Sequence, residues 1–117
     1  MTLHLDTSTG KTIGVARIEG RLDATNSGIL LQKFPEWLEQ TNDFVFDCSA
    51  LSFIDSSGLG AIVGCLRKAL EKNGDLRLAC LDPKVSMVFE LTKAKQLFSI
   101  YHDCHEALDS FNTGKQQ

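Results

Sequence analysis

The chain is short of positive charge. Its 117 residues carry 12 Lys and Arg against 15 Asp and Glu, a net charge of −3. Proteins that grip nucleic acid without sequence preference show a basic footprint, so no nucleic-acid partner is expected. Long apolar runs are also missing. No stretch approaches the ~20 residues that cross a bilayer, and no membrane partner is expected. The opening Met1-Thr-Leu-His-Leu-Asp6 has neither the basic segment nor the apolar core of a signal peptide, which makes a cytoplasmic, soluble protein the expectation. The four cysteines, Cys48, Cys65, Cys80 and Cys104, include no Cys-x-x-Cys pair, so metal-ligand spacing is absent and four reduced thiols are expected. The buried ones would act as small apolar side chains. Gly-x-Ser-x-Gly and Gly-x-x-x-x-Gly-Lys-[Ser/Thr] are both lacking, and His4, His102 and His105 have no evident orienting partner. An enzyme is therefore not expected, and neither is a cofactor. There is no repeat, low-complexity tract or linker, which leaves one domain.

What is present is a regular alternation of two periodicities. Leu3 and Leu5, then Ile13, Val15 and Ile18, predict two strands about a turn at Thr9-Gly10, and the short loop makes them an antiparallel hairpin. The break in alternation predicts a bend near Ala16-Arg17. Gly20-Arg-Leu-Asp23 ends the second strand, with Asp23 a candidate cap for a helix from Ala24 to about Gln40. Ile29 or Leu30, Phe34, Trp37 and Leu38 lie on one side of that helix. Pro35 falls inside it, which predicts either a kink near Leu31, the favoured outcome, or a stop near Lys33 and a restart.

A buried strand over 44–47 follows, then a helix to about Lys72 with Leu59, Ile62, Val63, Leu66 and Leu70 on its inner stripe. Asn73-Gly74 stops it. Leu76 through Leu81 form a strand, and Asp82-Pro83 opens a third helix with Val85, Val88, Phe89 and Leu91 turned inward. Leu97 to Tyr101 read as a last strand, and Asp103 as the cap of a terminal helix carrying Ala107, Leu108 and Phe111. The order ββαβαβαβα implies an α/β domain, with a mostly parallel, mixed sheet of about five strands and about four helices.

Between the central strand and its helix lies Asp55-Ser56-Ser57-Gly58, a polar turn that delivers hydroxyls to a helix N-terminus. Such an end carries unpaired N–H donors and about half a positive charge, and so accommodates an anion. Both this turn and Gly20–Asp23 follow strands, and the two can share one rim. Taken alone, Asp55 and Ser57 also read as ordinary capping material. His102 and His105, spaced i, i+3, offer two metal ligands without an evident third, and Gly60 and Gly64 read as sites of close helix approach.

Gly20-Arg-Leu-Asp23 followed by Asp47-Cys-Ser-Ala-Leu-Ser-Phe-Ile-Asp-Ser-Ser-Gly-Leu-Gly60 resembles the pattern of STAS domains, specifically bacterial anti-anti-sigma factors. The likeness spans residues 3–112, leaving 113–117 as a polar tail. It implies a domain that binds an anti-sigma factor with serine-kinase activity and is released when phosphorylated, a serine phosphatase reversing the change. Matched by position, the acceptor falls on Ser56, with Asp23, Asp55, Ser57, Gly58 and Leu59 as its surround. The other function such a resemblance implies is a STAS scaffold, never phosphorylated, within a transporter or signalling complex. The family often has Thr-Gly-Leu where this chain has Thr92-Lys93-Ala94. Lysine lacks glycine's freedom at φ > 0, which predicts a differently shaped connection there.

Overall fold

A computed structural model describes residues 1–113, so the tail from Gly114 lies outside the described residues. The sheet runs β1 (Thr2–Asp6), β2 (Ile13–Leu22), β3 (Asp43–Ile54), β4 (Asp75–Ala79) and β5 (Ile100–Tyr101), neighbours in space in that same order. β1 and β2 are antiparallel, and every later pair is parallel. The helices are α1 (Ser27–Leu38), α2 (Ser56–Glu71), α3 (Pro83–Leu91) and α4 (Cys104–Thr113), with a short 3-10 turn at Ala94–Gln96.

This order decides where the helices go. Each parallel strand is added on the same side of the one before it, and right-handed crossovers then place every crossing helix on one face. Accordingly α1, α2 and α3 pack on one side, over Ala16, Ile18, Phe44, Phe46, Leu76 and Leu78. On the other, Ala107 and Phe111 of α4 cover Ile13, Val15, Val45 and Ala79. Asp47, two residues beyond Val45, shares the α4 side. Arg77 does too, hydrogen-bonding Ser110 at 2.6 Å and stacking on Phe111 at 4.0 Å.

α1 tests a local rule against packing. A proline inside a helix costs about 3 kcal/mol, yet α1 is one helix through Pro35. Leu30, Phe34 and Trp37 are buried around it. Each such side chain is worth about 1.5–3 kcal/mol, so their sum exceeds the cost of the proline. Phe34 sits 4.7 Å from Phe44 and 6.1 Å from Phe46, ring centre to ring centre. No stop and restart occurs, and the helix is shorter at both ends than Ala24–Gln40.

Other expectations are corrected as well. β3 is a 12-residue strand, not a four-residue one, so Cys48 lies within it. Its second half looks irregular in sequence because Ser49, Ser52 and Phe53 face solvent at the edge of the helical layer. The bend expected in β2 is present as register shifts after Arg17 and after Gly20. Leu70 and Leu91 are exposed, at 52% and 77%, instead of lining the core. α2 instead buries Ala61, Cys65 and Ala69 beside Ile62 and Leu66. The last strand is only Ile100–Tyr101, and Cys80 falls just after β4. Asp82 and Asp103 do cap, accepting from the N–H groups of Val85 and Glu106 at 3.0 and 2.8 Å.

Lys93 adopts the left-handed conformation after all, at φ +63°. The connection therefore keeps the shape that a glycine would give, with a lysine carrying the strain. That conformation costs an L-residue about 1–2 kcal/mol, whereas glycine's extra freedom when unfolded costs about 0.5–1 kcal/mol. Lys93→Gly should accordingly stabilise the protein by about 0.5–1 kcal/mol in urea unfolding, and a lower midpoint would contradict this account.

Candidate functional site

The two turns meet. Leu22 ends β2 and Asp55 follows β3, and the Asp55 N–H donates to the Leu22 carbonyl at 3.3 Å. The Asp55 carboxylate then binds in both directions: Oδ1 accepts from the Gly58 N–H at 2.9 Å and Oδ2 from the Ala24 N–H at 3.2 Å. Asp55 thus caps α2, as one of its two expected roles had it, and also fastens the entry of α1. Ser56 and Ser57 are the first two residues of α2, both exposed. Gly58 is buried where no larger residue fits, since a Cβ there would stand 2.2 Å from the Leu22 oxygen. Leu59 faces the core at 8% exposure.

Asp23 does not cap α1. Its carboxylate turns back on its own loop, accepting from the Thr25 N–H at 3.0 Å and the Thr25 hydroxyl at 2.6 Å, with Arg21 Nε at 3.3 Å. The Thr25 hydroxyl, first among these donors, holds the Asp23 carboxyl below its usual range, so it stays anionic at neutral pH. The position before α1 belongs to Asn26, whose side chain makes no capping bond. Instead Asn26 Oδ1 accepts from the Asp23 N–H at 2.9 Å and its amide donates to the Arg21 carbonyl at 2.7 Å. Sequence reasoning missed Asn26. Its signal was an amide three residues after an aspartate in a loop. The rim is therefore a braced loop–loop junction bearing two carboxylates, beside which Ser56 stands free.

From Ser56 a groove of about 510 Å³ runs along α2 past Val63 to Thr92, Lys93 and Leu97. Arg67 and Lys93 place positive charge on its walls. Arg67 lies on the exposed side of α2, and the groove forms where the Thr92–Leu97 segment packs beside that helix. His102 and His105 do not share a helix. His102 precedes α4, and His105 within it lies 3.4 Å from Asp109. The thiols behave as their burial dictates. Desolvation pushes Cys65 up to about 12, does the same for Cys104, where the nearby Asp47 charge adds to it, and raises Cys48 as well. All four cysteines are free.

Asp55→Ala, which removes a cap and an inter-loop bond together, should cost about 2 kcal/mol in chemical unfolding. An unchanged midpoint would show the junction to be incidental.

Residues 4–107 match the STAS domain family. The anti-sigma-B factor antagonist of Bacillus subtilis is 26% identical over 100 residues, covering 86% of this chain and 92% of that protein. A crystal structure of an anti-sigma factor antagonist assigned as putative, from Thermotoga maritima, superposes with a TM-score of 0.83 at 23% identity, covering 93% of this chain and 92% of that one. The phosphorylated form of the Bacillus cell fate determinant SpoIIAA superposes at 0.68 with 24% identity, over 94% and 99% of the two chains. The first two of these relatives are named as antagonists of anti-sigma factors. Among the described residues, no helix is long and apolar enough to cross a membrane. Among these relatives the Bacillus subtilis protein is named an anti-sigma-B factor antagonist, and this chain belongs to the STAS domain family.

Proposed function

We propose that this protein is an anti-sigma factor antagonist whose binding is switched off by phosphorylation of Ser56. One observation carries the reading: Ser56 is exposed at the first position of α2, on a junction already braced by Asp55. A phosphoryl group there adds about −1.5 to −2 charge beside a helix N-terminus, which favours an anion by about 0.3–1 kcal/mol. Nothing in the junction has to move to admit it. Asp55 already satisfies the Gly58 N–H, and among the described residues the Ser56 side chain has no hydrogen-bond partner that the modification would displace.

A docked partner meets the opposite balance. Covering the Ser56 end of the groove removes the dianion from water, and burying such a charge without a basic partner costs several kcal/mol. Asp55 and Asp23 add like charge nearby. About 4 kcal/mol changes affinity roughly a thousandfold, which is enough to empty the complex. The partner is an anti-sigma factor that is itself the serine kinase, and a serine phosphatase restores the binding form. Ser57, at the second helical position, flanks the acceptor, while Gly58 and Leu59 fix the helix start beneath it.

The test uses the full chain as bait in lysate of its native cells, together with the anti-sigma factor so recovered. Ser56→Ala should hold the partner whatever the kinase activity, and Ser56→Asp should bind at least a hundredfold more weakly. Protein isolated from the same cells should carry a phosphatase-sensitive phosphate on the peptide that contains Ser56. Equal affinity of the two variants, with no phosphate on that peptide, would sink the switch and leave the scaffold function.

A further inference from the structure

On the α4 side of the sheet, away from the groove, three residues distant in sequence converge. Asp47 comes from β3, Cys80 from the turn that leaves β4, and Cys104 opens α4. One ligand atom from each, two Sγ and a carboxylate oxygen, lie within 4.8 Å of one another, all three residues half-buried. We propose that Asp47, Cys80 and Cys104 form a binding site for a thiophilic divalent cation of the zinc class.

The donor set fits that chemistry. Two thiolates and a carboxylate are zinc ligands, at about 2.3 Å for sulfur and 2.0–2.2 Å for oxygen, in tetrahedral sites whose fourth position can be water. Ligand atoms around such an ion stand about 3.5–3.8 Å apart, so closure from 4.8 Å needs movements of about 1 Å. The carboxylate is already oriented, because Asp47 Oδ1 accepts from the Ser49 N–H at 3.0 Å. Fixing a ligand from behind in this way is how metal sites are tuned. On binding, each thiol loses its proton to solvent and the cation takes its place. Of the three, Cys80 also lines a surface opening of about 430 Å³, together with Tyr101, His102 and Lys95 among others.

Backbone strain supplies a second argument. Cys80 is held at φ +66°, a conformation that side chains other than glycine and asparagine rarely adopt. The Cys80 N–H donates to the Tyr101 carbonyl at 3.1 Å, so β5 pins the turn in that shape. Glycine would fit this position with less strain. Strained residues gather where their side chains have a task, and here the strain aims a sulfur at another sulfur and a carboxylate. Occupied, the site would tie the start of α4 to the sheet.

The experiment is a cobalt(II) titration of the reduced, chelator-stripped full chain. One equivalent should bring in thiolate-to-cobalt charge-transfer absorption and intense tetrahedral d–d bands, both erased by zinc(II). Zinc(II) should also raise the melting temperature. Cys80→Ser and Cys104→Ser should each weaken binding at least tenfold, as should Asp47→Asn. Cys65→Ser, which alters a buried thiol in α2, should leave the spectrum unchanged. Wild-type protein that gives no charge-transfer band overturns the site, and so does a band that persists in the Cys80→Ser/Cys104→Ser double variant.

Discussion

The junction of the two turns rests on one carboxylate. Asp55 holds the first turn of α2 through Gly58 and the entry of α1 through Ala24, so two helices take their starting points from a single side chain. The neighbouring backbone bond from Asp55 to Leu22 ties the same point to the end of β2. Charge-assisted bonds of this kind are stronger than neutral ones and specify direction as well as distance. What the proposed switch requires, an exposed hydroxyl at a fixed address, follows from that arrangement. Ser56 needs no contact of its own to be positioned, which leaves its oxygen available.

The sheet supplies the stiffness behind the junction. β3 lies between β2 and β4 over its first half, with Phe44 and Phe46 packed against Phe34 of α1. Gly58 presses the start of α2 against Leu22 so closely that only a hydrogen fits. Helix start, strand end and neighbouring loop therefore form a rigid unit, and a change of charge on its surface has little else to act through than whatever docks there.

Much of this was legible in the sequence, for physical reasons that can be named. The alternation of periods two and 3.6 gave the element order. Asp82-Pro83 and Asn73-Gly74 marked helix boundaries because capping and left-handed stops are local chemistry. Asp55-Ser56-Ser57-Gly58 stood out for the same reason. Where local patterns compete with packing, legibility ended. Pro35 continues a helix because three buried side chains outweigh it, and the tail of β3 hides its strand character behind exposed serines. Leu70 and Leu91 match an inner stripe yet point outward, since the stripe is narrower than the apolar run. Asp23 looked like a cap and is instead a brace, a distinction set by where Thr25 and Asn26 fold back. Lys93 was expected to reshape its loop, but the fold imposed the left-handed conformation on it. The groove between α2 and the Thr92–Leu97 segment, and the meeting of Asp47 with two cysteines, have no sequence signal because topology alone assembles them.

The lopsided layering has a consequence for the order of events during synthesis. Three helices cover one face as the chain is made, but the other face waits for α4, the last described element to emerge. Until then Ile13, Val15, Val45 and Ala79 present an uncovered apolar surface. Partly folded chains with such surfaces are prone to associate with one another. Closure of that face is therefore a late and separate step, on the side of the molecule opposite the groove.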